Sequence, residues 1–170
     1  MKPLVVGQAP SKTAGHRRAF DGDSGRRFAK LLGISLEQFL SECDTVNLLR
    51  SWPGKHGGAY AYRDKGDRFP IAAAKRGAVR VMRELDAVRN PILVLCGRRV
   101  ARAFGVHGDF LQWGVMPSRG HGAVMFLTIP HPSGCNVWWH DARNRELAAA
   151  ALESVLWKTC RRGKLLGLVA

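Results

Sequence analysis

Three short stretches carry side chains able to act on a ligand. The longest is Ile129-Pro130-His131-Pro132-Ser133-Gly134-Cys135-Asn136-Val137-Trp138-Trp139-His140. It sets a histidine in a proline-flanked turn, then two tryptophans and a second histidine. An imidazole changes charge near neutral pH, so it can donate a hydrogen bond to a group that is gaining negative charge. The second stretch is Gly7-Gln8-Ala9-Pro10-Ser11. Gly7 permits close backbone approach, and Pro10 fixes the chain and removes a donor. The third is Asn47, whose amide both donates and accepts and can read a polar edge. Each has a plainer reading beside the chemical one. The histidine turn can be a strand-to-helix loop whose tryptophans complete the core, and Asn47 can be a strand-end amide satisfying backbone groups.

The elements around these stretches decide whether they meet. Pro3 to Val6 predicts a short strand, Cys43 to Leu49 a second, Ile92 to Cys96 a third, and Ala123 to Ile129 a fourth, broken only by Thr128. Helices are expected from Asp23 or Ser24 through Leu32, from Ser35 to about Glu42, and from Pro70 to about Val88. Two more are expected from Arg98 to Phe104 and from Asp141 to about Cys160. Arg50 to Phe69 and Val106 to Gly122 read as long loops; such loops in a compact domain are often functional. Continuous apolar strands alternating with helices predict a three-layer α/β/α sandwich around a four-stranded parallel sheet. In a parallel sheet the strand-1 turn, Asn47 and His131 lie at one edge, where open α/β sheets place ligands.

The chain has 170 residues, with 27 Lys+Arg against 13 Asp+Glu and a formal net charge of +14. One domain over residues 1–170 is expected, with a basic tail from about Arg161. So basic a surface points to a polyanion, nucleic acid before anionic membrane. No apolar run nears the ~20 residues that cross a bilayer, and the first residues read as a strand rather than a leader. A soluble cytoplasmic protein is expected. Cys43, Cys96, Cys135 and Cys160 form no CxxC knuckle, and Cys43 and Cys96 read as small core hydrophobes. There is no GxGxxG after the first strand and no Walker-type loop, so a nucleotide-cofactor domain is not supported.

Gly7-Gln8-Ala9-Pro10-Ser11 and His131-Pro132-Ser133-Gly134 resemble the two signature motifs of the uracil-DNA glycosylase superfamily. Ala19-Phe20-Asp21-Gly22-Asp23-Ser24-Gly25-Arg26 with Leu31-Leu32-Gly33 resembles a segment of its bacterial and archaeal branches. Val46-Asn47-Leu48-Leu49 resembles the strand ending near a base-reading asparagine. Leu93 to Arg98, with Ala101, Phe104 and Gly105, resembles the strand-Gly-helix unit before the last strand. The resemblance covers about residues 3 to 145.

It implies a monofunctional DNA glycosylase that takes a base out of the stack and leaves an abasic site. His131 would donate to the departing base, Phe20 would stack on it, and Asn47 would read its edge. Gly7, Ala9, Pro10 and Ser11 would line the pocket. The best-known branch has an Asp where this chain has Ala9, so the water-activating group is open among Gln8, Asp21, Asp23 and His16. An inactive DNA-binding module that recognises modified or damaged bases is the alternative. That branch also has a large Tyr where this chain has Ser11, so Ser11 predicts room for 5-substituted pyrimidines, including modified cytosines of phage DNA. Ser133, Gly134, Cys135, Asn136, Trp138 and Trp139 match the loop that enters the minor groove. Cys135 stands where relatives have Leu, which leaves Trp138 or Trp139 as the wedge or as core packing. Arg17, Arg18, Lys55, Arg98, Arg99, Arg119 and Arg143 are candidates for phosphate contacts. No iron–sulfur cluster, other metal or organic cofactor is expected, DNA is the expected partner, and the expected state is a monomer.

Overall fold

The computed structural model describes residues 1–12, 18–55, 68–118, 122–134 and 136–166, the last ten of these by backbone alone. His16, Arg17, His56, Tyr60, Tyr62, Arg119, Cys135 and the end of the basic tail lie outside the described residues, as does the side chain of Cys160.

Strands β1 (Leu4–Gly7), β2 (Asp44–Asn47), β3 (Ile92–Cys96), β4 (Trp113–Ser118) and β5 (Gly122–Ile129) form one sheet in the order β2-β1-β3-β5-β4. β2, β1, β3 and β5 run parallel, and β4 pairs antiparallel with β5. Helices α1 (Asp23–Leu31), α2 (Leu36–Glu42), α3 (Ile71–Glu84), α4 (Arg98–Ala103) and α5 (Ala142–Leu166) cover both faces.

Successive strand residues point to opposite faces, and the core divides accordingly. Val6, Leu93, Leu95 and Phe126 pack on Ala74, Ala78 and Val81 of α3 and Val100 of α4. Val5, Val94, Leu127 and Ile129 pack on Phe28 of α1, Phe39 of α2 and Ala148 and Leu152 of α5. β3 is buried along its whole length, as a central strand of a doubly covered sheet must be.

The expected sheet lacked one strand. β4 lies within the stretch read as a loop from Val106 to Gly122. It is a half-buried edge strand with Val115 65% exposed and a proline at position 117, so its apolar pattern is weak. Helix α3 ends at Glu84 rather than Val88. There the Asp86 carboxylate accepts from the backbone N–H groups of Val88 and Arg89, a local turn that competes with the helix. A short 3-10 turn, Val137–His140, holds both tryptophans before α5 begins at Ala142.

Thr128 interrupts an apolar strand, and its hydroxyl has a purpose there. It donates to the Asp109 carbonyl at 2.9 Å and accepts from the Gln112 backbone N–H at 3.2 Å. The strand backbone adds Leu111 N–H to the Thr128 carbonyl at 2.7 Å. The segment that carries Phe110 is thereby fastened to β5. Thr128→Val removes the hydroxyl and keeps the shape. It is expected to lower unfolding free energy by about 1–2 kcal/mol, read as a drop of a few degrees in the thermal midpoint.

Candidate active site

The parallel register brings the sequence-distant turns together. Gly7 stands opposite Asn47 in the β1–β2 ladder. The pairing continues past the strands, with Leu48 N–H to the Gly7 carbonyl at 3.0 Å and Leu49 N–H to the Gln8 carbonyl at 2.9 Å. On the other side of β1, the Gly97 N–H donates to the Ile129 carbonyl at 2.7 Å, which joins the end of β3 to the end of β5. The chain leaves β1 toward β2 and leaves β3 toward β5, so a crevice opens between β1 and β3.

That crevice is a cleft of about 700 Å³. Gly7, Gln8, Ala9, Pro10, Ser11, Phe20, Asp21, Asn47, Ser133, Asn136 and His131 all line it. Neither Gly134, Trp138, Trp139 nor Arg98 does. Two glycines set the spacing. A Cβ on Gly7 would lie 2.5 Å from the Asn47 Oδ1 and 3.1 Å from the Phe20 ring. Gly97 has φ of 102°, and a Cβ there would lie 3.1 Å from the His131 Cβ and 3.5 Å from the Gln8 Nε2. Bare backbone at these two positions lets Asn47 and Phe20, and His131 and Gln8, crowd the same space. Among the described residues the side-chain amides of Gln8 and Asn47 make no hydrogen bond, so both keep donors and acceptors for a ligand.

Phe20 occupies the left-handed backbone region, with φ of 63°. Such a conformation costs energy in a non-glycine residue and is held by its surroundings. Its ring stacks on Phe28 with centroids 5.8 Å apart and meets Phe39 edge-on. Its carbonyl accepts from Gly22 N–H and sits where a side chain on Gly25 would have to go. The loop before it is tied to β2. Arg18 donates to Thr45 Oγ1 and to the Cys43 carbonyl, and Thr45 Oγ1 donates to the Ala19 carbonyl. Phe20 is thus both a core residue and a wall of the cleft.

The carbonyl of His131 gathers three donors. They are the Trp139 Nε1 at 2.9 Å, the Asn136 Nδ2 at 3.1 Å and the Ser133 N–H at 2.9 Å. The Arg27 Nη1 donates to the next carbonyl, that of Pro132, at 2.9 Å. Gly134 leaves room for Arg27, since a Cβ there would meet its Nη2 at 2.5 Å. Trp138 packs edge-on to both Trp139 and Phe110. Both tryptophans are half-buried against the core. Beside them Val137 is 73% exposed.

Five cationic residues, Arg18, Arg27, Lys55, Arg68 and Arg99, line the cleft against two acids, Asp21 and Asp23. Asp23 pairs with Arg26 at 2.8 Å, and that guanidinium holds its carboxyl below the usual carboxylate range. Asp21 makes no ion pair among the described residues. The Lys12 Nζ lies 5.8 Å from the Trp52 ring, which draws the strand-1 turn toward the segment carrying Pro53 and Lys55. Arg98 is turned elsewhere, 3.6 Å from Asp109 and over the Phe110 ring. Burial pushes the Cys43 thiol up to about 12 and raises that of Cys96, which suits core packing and not nucleophilic work. No group of three or more metal-ligating side chains occurs among the described residues.

Arg27 and Arg68 were not singled out from the sequence. Arg27 follows the Phe20–Arg26 segment directly. Its place in the cleft depends on the phase of α1, which one short amphipathic turn does not fix.

The sheet order and the cleft define an α/β sandwich with a ligand crevice at its topological switch point. Residues 1–155 match the family model of the Uracil DNA glycosylase superfamily. The chain belongs to that superfamily. A search of curated proteins gave no match. Membership supports a DNA glycosylase in general and DNA as the partner. Among the described residues no helix is long and apolar enough to cross a membrane.

Trp139→Phe keeps most of the packing and deletes one of the three donors to His131. It is expected to lower unfolding free energy by about 1 kcal/mol. An unchanged melting midpoint would show that the indole N–H does not hold the turn.

Proposed function

We propose that the protein is a monofunctional DNA glycosylase acting on a flipped-out uracil-type or 5-modified pyrimidine. The observation that carries this reading is the convergence of His131, Asn47, Phe20, Gln8 and Asp21 on one basic cleft. Residues 1–170 act as one such unit, without a metal or organic cofactor and as a monomer.

Each side chain has a task that its chemistry suits. The extruded base stacks on Phe20, and Asn47 pairs with its polar edge. As the bond from sugar to base breaks, its electron pair leaves with the base. His131 donates a hydrogen bond to the carbonyl oxygen that gains this charge. The sugar becomes oxocarbenium-like, and a water oxygen bonds to its anomeric carbon. Asp21, which makes no ion pair among the described residues, accepts the water proton, and Gln8 positions the water. The products are the free base and an abasic sugar. Arg18, Arg27, Lys55, Arg68 and Arg99 hold the phosphates around the extruded nucleotide. The turn from Ser133 to Asn136 enters the duplex, and the exposed side chain of Val137 beside it suits the apolar wedge better than the packed tryptophans do.

Ser11 lines the same cleft with a small side chain. A substituent on the pyrimidine ring carbon 5 has room beside it. This supports action on modified pyrimidines, including modified cytosines of phage DNA, as well as on uracil.

The test is a panel of duplexes carrying uracil, hydroxymethyluracil, or hydroxymethylcytosine with and without a sugar, followed by alkaline cleavage of abasic sites. Strand breaks are expected at the altered base. They should fall about 100- to 1,000-fold in His131→Ala, the usual loss for one oxyanion donor. Asp21→Asn should fall by about 100-fold or more. Release of plain uracil alone would overturn the role given to Ser11. Tight binding with no breaks in any duplex would make the protein a base-recognising module, a reading favoured by the missing carboxylate at Ala9.

A further inference from the structure

The excess positive charge is not spread evenly over the two helix layers. On one face, α3 carries four cationic residues in IAAAKRGAVRVMRE and α4 carries three in RRVARA, against the single acid Glu84. On the other face, α1, α2 and α5 carry nine cationic and five acidic residues, with four of the cationic ones in the last nine residues of α5. Acids offset more than half of the cations on that face and only one of seven on the α3/α4 face, so the least compensated charge lies on α3 and α4.

The packing turns that charge outward. Ala74, Gly77, Ala78 and Val81 of α3 and Val100, Ala101 and Ala103 of α4 face the sheet. Lys75, Arg76, Arg83 and Arg102 are exposed. Arg76, Arg80 and Arg83 follow one another at helical spacing, as do Arg98 and Arg102; Arg80 turns inward to the Asn47 carbonyl and Arg98 toward Asp109, which leaves Arg76, Arg83 and Arg102 facing outward. Lys75, Arg76 and Arg102 have no ion-pair partner among the described residues. Such a surface is unfavourable alone and is relieved by a polyanion. It is also continuous with the cleft. Arg68, two residues before Pro70 caps α3, and Arg99, in the first turn of α4, both line it.

We propose that the α3/α4 layer is a DNA-backbone surface. The duplex flanking the extruded nucleotide crosses this face, and its phosphates are neutralised by Arg76, Arg102 and Lys75. The proposal takes from the glycosylase reading that the polyanion is DNA. It does not need base excision.

The experiment measures binding of an undamaged duplex over a range of salt concentrations. It compares the native chain with R76Q/R102Q and with K2Q/K30Q, which removes the same charge elsewhere. Each lost phosphate contact lowers the slope of log K against log salt by about 0.9. R76Q/R102Q should lower it by about 2, and K2Q/K30Q should leave it near the native value. K75Q/R83Q repeats the test at other positions of α3 and should also lower it. All the substituted residues are charged and all but the half-buried Lys2 are exposed, and matching thermal midpoints verify folding. Equal slopes in R76Q/R102Q and K2Q/K30Q would overturn the proposal. So would a loss confined to binding of phosphatidylserine vesicles. Native binding without strand breaks on modified duplexes would overturn hydrolysis and leave this surface standing. No binding of the native chain to any DNA would overturn both.

Discussion

The backbone carbonyl of His131 is the point on which the site depends. A proline-flanked turn has few N–H groups of its own to hold it, because Pro130 and Pro132 have none. The chain supplies donors from further on. Ser133, Asn136 and Trp139 all bond that one oxygen. Asn136 does so while its Oδ1 caps the 3-10 turn through Trp138 N–H. The imidazole thus projects from a turn clamped by its own downstream residues. Arg27, reaching from α1, fixes the neighbouring carbonyl and binds the turn to the opposite wall of the cleft.

The other wall is held by a different device. Phe20 has an unfavourable backbone conformation, which its aromatic contacts and the fastening of residues 18 and 19 to β2 offset. Close backbone approach at Gly7 and Gly97 brings the two walls to within reach of one ligand. Acid groups are sparse there. Asp23 is committed to Arg26, and Asp21 is the other carboxylate that lines the cleft. This distribution follows from a basic cleft built for a polyanion, in which most carboxylates would weaken binding.

Much of this was legible in the sequence. The four parallel strands are continuous apolar runs ended by turn residues, and their order forces Gly7, Asn47 and His131 to one edge. The motifs then named Gly7 to Ser11, Phe20, Asp21, Asn47, His131, Ser133 and Asn136, all of which line the cleft. What escaped the sequence depends on partners that are distant in the chain. β4 exists because β5 offers it an edge, not because Trp113 to Ser118 alternates strongly. The tryptophans read equally as wedge or core, since only the fold puts Phe110 against Trp138. Arg68 looks like any loop cation until β2 and α3 bring it to the cleft. The place of Arg27 likewise needed the tertiary contact with Pro132.

Thr128 carries a last consequence. Its hydroxyl ties residues 109–112 to β5, Phe110 of that segment rests on Trp138, and Trp138 abuts Trp139, which grips His131. A buttress made entirely of residues outside the cleft therefore runs from the antiparallel edge of the sheet to the histidine turn. Sequence drift at Phe110 would alter how stiffly the turn is held without changing a single group that lines the cleft. The segment that leads into the edge strand thus acts as a tuning support for the site, and an aromatic ring on this surface is not by itself a sign of DNA contact.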